Sequence, residues 1–96
     1  MSDSWIRDGT CALFIGDSIT DCGRRDAAAP LGNGYVSMVA ELATARYPAY
    51  QIRYINEGIG GNRITDLRDR WSEDALDHRP DRLSIKVGMH LTQAPL

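Results

Sequence analysis

Five consecutive apolar residues, Cys11-Ala12-Leu13-Phe14-Ile15, run without polar alternation into Gly16 and then into Asp17-Ser18-Ile19-Thr20-Asp21. A strand of that length with no polar face has both faces covered, which points to a parallel sheet lying between helices. Gly16 lets the chain turn sharply at the strand's carboxyl end, the end at which open α/β sheets bind their ligands. Ser18 falls at that point, where a following helix begins with unpaired N–H groups. Two roles are open to it. Serine and aspartate are common helix caps, and a capping Ser18 needs no chemistry. A nucleophilic Ser18 needs a base to take its proton and donors to hold the oxyanion.

The next segments alternate in type. Residues 22–34 mix glycine, proline and charge without a sustained period and read as a loop with one helical turn. Tyr35, Val36, Val39, Leu42, Ala43 and Arg46 or Tyr47 recur at spacings of three and four, predicting an amphipathic helix from about Gly34 until Pro48. Tyr50 to Asn56 is β-branched and aromatic with partial alternation, the pattern of a strand at the sheet edge. Asn56-Glu57-Gly58-Ile59-Gly60-Gly61-Asn62-Arg63 then places three glycines in four positions at that strand's carboxyl end, where backbone amides can approach a ligand closely. Ile64, Leu67, Trp71 and Leu76 predict a second amphipathic helix, with Trp71 in the core and Asp66 and Arg70 spaced for an ion pair on its exposed side. Arg63 and Arg68 read as surface charge in preference to contacts for an acidic substrate. Leu83 to Val87 is the third strand. Strand, helix, strand, helix, strand implies a right-handed parallel arrangement with the Ser18 strand central, order 2-1-3.

Composition narrows the function classes. Ninety-six residues, 43% hydrophobic and 25% charged, suit one globular domain with a small core. A net charge of −2 gives no field to gather nucleic acid or anionic lipid, so neither a nucleic acid nor a membrane is expected as a partner. The first eight residues lack a basic and apolar leader, and no apolar run approaches the roughly 18 residues of a spanning helix, so the expectation is a soluble cytoplasmic chain. Cys11 and Cys22 have no metal-ligand spacing with His78 or His90 and are expected to be reduced and structural.

Phe14 to Asp21 resembles, almost verbatim, the first sequence block of the GDSL or SGNH hydrolases, whose serine is the nucleophile. It differs from the α/β-hydrolase elbow G-x-S-x-G in having Thr20 at the second glycine, and Ile19 removes a D-x-D site with Asp17 as nucleophile. The glycine stretch looks like the second block of the same family, and Gly61 takes the position of the glycine whose N–H joins the serine's own in the oxyanion hole. The resemblance implies a three-layer, flavodoxin-like parallel sheet and hydrolysis of a small carboxylic ester, with Ser18 as nucleophile, the N–H groups of Ser18 and Gly61 as oxyanion donors, Asp17 in support, and no metal or organic cofactor.

The resemblance covers about residues 10–88. The family's third block, Gly-x-Asn-Asp, supplies an asparagine donor; here Gly88-Met89-His90-Leu91 puts His90 in its place, and residues 89–96 match nothing in the family. No Asp-x-x-His, the block that holds the family's base, occurs in the chain. The expectation is therefore a single partial domain over 1–96, incomplete or frame-altered or a natural short form, and weakly active or inactive alone. His90 is expected on the Ser18 side of the sheet, either reaching Ser18 as the missing base, donating to the oxyanion, or standing as a solvated residue near the terminus; His78 is expected on the surface at the opposite end of the strands. A non-catalytic fragment binding a small ligand or a partner is the alternative, and a nucleotide-binding module resting on glycines 58 to 61 ranks below both, because Arg63 stands where G-x-G-x-x-G needs glycine. The third strand, apolar at Leu83, Ile85 and Val87, is expected to form an open edge through which the chain associates, either with itself or with a partner segment.

Overall fold

A computed structural model describes residues 7–87. The elements are β1 (Cys11–Gly16), α1 (Ser18–Asp21), α2 (Tyr35–Arg46), β2 (Arg53–Gly58), α3 (Ile64–Asp69), α4 (Trp71–Asp74), a 3-10 turn (Leu76–His78) and β3 (Arg82–Lys86). The three strands pair in parallel in the order β2-β1-β3, as the sequence predicts. Gly16 stands level with Gly58 on one side and with Lys86 on the other, so all three strands end on one rim.

Every residue of β1 is buried, and its side chains feed two separate cores. Leu13 and Ile15 pack with Leu67 and Ala75, joined by Ile55, Trp71 and Val87. Ala12 and Phe14 point the other way onto Val36, joined by Leu31, Tyr35, Val39 and Tyr54, with the Tyr35 ring edge-on to Phe14 at 6.0 Å. This is why β1 shows no polar alternation: helices cover both of its faces. Connections of one hand leaving β1 and β2 in opposite directions across the sheet put α2 on one face and α3 with α4 on the other, giving three layers.

The sequence reading and the structure differ in several places. The face of α2 that meets the sheet is Val36, Ala40 and Ala43, at spacings of four and three, and its two alanines allow close approach. Leu42 lies off that line and is 70% exposed. The strand placed over 50–56 is shifted to Arg53–Gly58, because Tyr47 and Tyr50 stack on one another in the turn before it. The single helix over 64–76 is instead two short helices and a 3-10 turn, and Ile64 and Leu76 are exposed while Leu67 and Trp71 face the core. The break falls at Arg70, whose side chain turns inward and bonds Asp74 at 2.8 Å; Asp66, its expected partner, accepts instead from the Arg63 N–H at 2.8 Å. Residues 22–31 make a run of turns without a helix. Among the described residues β3 is an edge of the sheet, with Leu83 41% and Ile85 50% exposed. No helix among the described residues is long and apolar enough to cross a membrane.

Candidate active site

Asp17 leaves the sheet with its N–H on the Lys86 carbonyl, at 3.2 Å, and caps the next turn. Its Oδ1 accepts from the Ile19 N–H at 3.1 Å, and its backbone carbonyl accepts from Thr20 and Asp21. The capping role that the sequence offered to Ser18 therefore belongs to Asp17, which is 1% exposed. Ser18 becomes the first residue of α1 and is exposed at the rim. Among the described residues neither its N–H nor its hydroxyl has a hydrogen-bond partner. The second Asp17 oxygen, Oδ2, is buried and likewise without a partner among them.

The glycine stretch meets Ser18 from β2. The Ile59 N–H donates to the Gly16 carbonyl at 3.0 Å, pinning the start of the turn to the end of β1. The Asn62 N–H closes back on the Ile59 carbonyl at 3.2 Å, with Gly61 at φ +86°, the type II form that requires glycine at its third position. A Cβ on Gly60 would lie 3.7 Å from the Ser18 Cβ and 3.8 Å from Asp21 Oδ2, so the turn passes directly beside the serine. The Gly61 N–H has no acceptor among the described residues. Ser18 and the Gly60-Gly61 turn thus share the carboxyl rim of two adjacent strands.

Four polar side chains hold these two loops together. Asn56, 4% exposed, donates through Nδ2 to the carbonyls of Thr20 and Leu31, both at 2.7 Å, and accepts from the Gly58 N–H at 2.8 Å. Thr20 shares a 2.8 Å bond with the Tyr35 hydroxyl, fastening α1 to α2. Arg70 donates to Asn62 Oδ1 at 2.8 Å and to the Gly16 carbonyl at 3.3 Å, so it spans the glycine turn and the end of β1. Asp21 Oδ2 accepts from the Gly60 N–H at 3.0 Å and from Arg25 at 2.7 and 3.1 Å. Burial would raise the Asp21 pKa, but the Gly60 N–H, the Arg25 bond and the charges of Arg25 and Arg24 outweigh it and hold the carboxyl below its ordinary range. The signal for Asn56 was a polar residue at the end of a strand beside glycines, but two of its three partners, the carbonyls of Thr20 and Leu31, come from segments remote in sequence.

His78 is not the surface group the sequence predicts. It is half-buried, and its Nε2 lies 2.8 Å from Glu57 Oε2, on a residue level with Ile15 toward the carboxyl end of the sheet; Glu57 also faces Arg24 at 3.6 Å. Arg63 and Arg68 are surface charges, with side chains 63% and 74% exposed. Both cysteines are free thiols. His90 and the tail over 89–96 lie outside the described residues.

Residues 14–90 match the GDSL-like Lipase/Acylhydrolase family. The chain belongs to that family. Among its members, an acetylxylan esterase from Geobacillus stearothermophilus is 47% identical over 90 residues, a match taking in 88% of this chain and 41% of the relative. The crystal structure of an acetylxylan esterase from the same organism superposes with a TM-score of 0.81 at 48% identity, over 88% of this chain and 41% of that one. A more distant α/β hydrolase enzyme from the metagenome of Lake Arreo, Spain, gives a TM-score of 0.80 at 32% identity, over 88% and 42%. The GDSL-like chain described here thus spans about two fifths of the length of these relatives, and its three-stranded α/β arrangement is theirs over that span.

Proposed function

We propose that this chain carries the nucleophile and the backbone oxyanion donors of a carboxylic-ester hydrolase. Ser18 Oγ attacks the acyl carbon of a small ester, and the N–H groups of Ser18 and Gly61 receive the oxygen that becomes negative in the tetrahedral intermediate. The carrying observation is that Asp17 takes the helix cap, which leaves Ser18 exposed and its N–H without an acceptor among the described residues, beside a glycine turn whose Gly61 N–H is in the same condition. The proposed chemistry uses no metal or organic cofactor. The acyl group we propose is acetyl and the alcohol a sugar hydroxyl, by likeness to the acetylxylan esterase that is 47% identical.

A second reading, a non-catalytic binding fragment on the same scaffold, is favoured by one observation. His78, the one histidine among the described residues, is bonded to Glu57 and not to Ser18. The two readings part in a labelling experiment with a fluorophosphonate, which forms a bond to the serine oxygen as fluoride leaves. Added imidazole supplies a general base from solution. An ester-hydrolase site predicts labelling at Ser18, accelerated by imidazole and absent in Ser18→Ala. A binding fragment predicts no serine-specific label at any imidazole concentration. Without added base, the chain is expected to hydrolyse p-nitrophenyl acetate barely faster than buffer, because the oxyanion donors alone leave only residual rate.

A further inference from the structure

We propose that Asp21 is a positioning residue for the oxyanion site: its carboxylate fixes the Gly60-Gly61 turn against the segment that carries Ser18, with Arg25 as its counter-ion. The inference rests on the ester-hydrolase reading above and goes beyond it by giving a role to the last residue of the Phe14–Asp21 block, which takes no part in the proposed attack on the ester. Asp21 is the last residue of the single helical turn that Ser18 begins, so the nucleophile and the carboxylate are on one rigid unit. The Gly60 N–H donates to Asp21 Oδ2 at 3.0 Å, and a Cβ on Gly60 would lie 3.8 Å from that oxygen and 3.7 Å from the Ser18 Cβ. The next N–H along the chain, that of Gly61, has no acceptor among the described residues. The turn's other anchors, Ile59 N–H on Gly16 and Arg70 on Asn62, hold its two ends, and Asp21 holds its middle.

A bare carboxylate beside an oxyanion site would repel the charge that forms there. Here Arg25 Nη2 and Nε sit 2.7 and 3.1 Å from Asp21 Oδ2, and the side chain of Asp21 is only 10% exposed, so the pair is close to neutral as seen from Ser18. Removing Arg25 therefore leaves the turn in place but makes the site hostile to an anion. Removing Asp21 releases the turn.

The test uses the full chain and two readouts. Hydrogen exchange of the Gly60 amide reports the hold on the turn and needs no catalysis. Fluorophosphonate labelling of Ser18 in imidazole reports the oxyanion site. In Asp21→Ala the Gly60 amide is expected to exchange about tenfold faster or more, and Ser18 labelling to slow by about as much, from loss of a bond to a charged acceptor. Asp21→Asn, which keeps an acceptor oxygen, falls between the two, and Arg25→Gln slows labelling with Gly60 exchange near that of the unchanged chain. The Leu13 and Val36 amides monitor folding. Unchanged Gly60 exchange in Asp21→Ala, or faster exchange with unchanged labelling, overturns the inference. Absence of Ser18 labelling in the unchanged chain overturns the ester-hydrolase reading itself, and the role of Asp21 with it.

Discussion

Replacing Asn56 by leucine keeps its approximate shape and removes all three of its hydrogen bonds. The Gly58 N–H and the carbonyls of Thr20 and Leu31 then lose the partners they have at 2.8, 2.7 and 2.7 Å, around a side chain that is 4% exposed. Each buried group left without a partner costs about 1–3 kcal/mol, and the new methyl groups recover part of it, so the expected loss is about 3–4 kcal/mol. Set against the roughly 5–15 kcal/mol of a domain, that is a large share. Asn56→Asp is expected to do at least as much harm, since it turns a carboxylate oxygen toward two carbonyls that need a donor. Urea unfolding followed by tryptophan fluorescence is the assay. With a slope of about 1–1.5 kcal/mol per molar, the midpoint falls by about 2–4 M, or the folded baseline disappears. Met38→Ala, at a side chain 61% exposed, is the control and changes stability by about 0.5 kcal/mol or less. Midpoints for both Asn56 variants within the range of that control would refute the central place given to Asn56.

Gly58→Ala is expected to destabilise by about 1–3 kcal/mol, because its Cβ would overlap the Asp21 nitrogen and lie 2.7–2.8 Å from Thr20, which cannot yield without moving α1; a thermal melt measures it, and an unchanged melt contradicts the packing. The pH dependence follows from Asp21, whose folded pKa lies below its ordinary value. The stability it adds is whole above the unfolded-state pKa of about 3.9 and is lost as pH falls through the lower folded value, so Asp21→Asn should narrow the difference between urea midpoints at pH 5 and pH 3. At the open edge, Leu83 and Ile85 leave apolar surface exposed, and a groove of about 390 Å³ runs beside β3 along Phe14, Tyr35 and Val39. Sedimentation is expected to show concentration-dependent association that Ile85→Lys reduces, whereas a monomer with strongly protected β3 amides at every concentration would show the edge to be closed.

The sheet was legible because its signals are local. An all-apolar five-residue run ending in glycine marked β1 as covered on both faces, and strands alternating with helices marked the sheet as parallel. The same locality limited the rest. The 64–76 period predicts one helix, but Arg70 finds Asn62 and the Gly16 carbonyl across the structure, and a helix straight through 70 would carry it away from both. His78 and Glu57 are 21 residues apart, and nothing in either segment announces their bond. In the site, Ser18 and Gly61 were readable from motif and position, and the geometry brings their two loops together on one rim. Asn56, Asp21 and Arg70 were not, because each acts through contacts that exist only once β1 and β2 lie side by side.

The most direct test of the account is the crystal structure of the chain after reaction with a fluorophosphonate. The account predicts phosphorus bonded to Ser18 Oγ, with one phosphonyl oxygen about 2.7–3.1 Å from both the Ser18 and the Gly61 nitrogens. Phosphorus on another residue, or on Ser18 with that oxygen turned to solvent and the Gly61 N–H unoccupied, would contradict it.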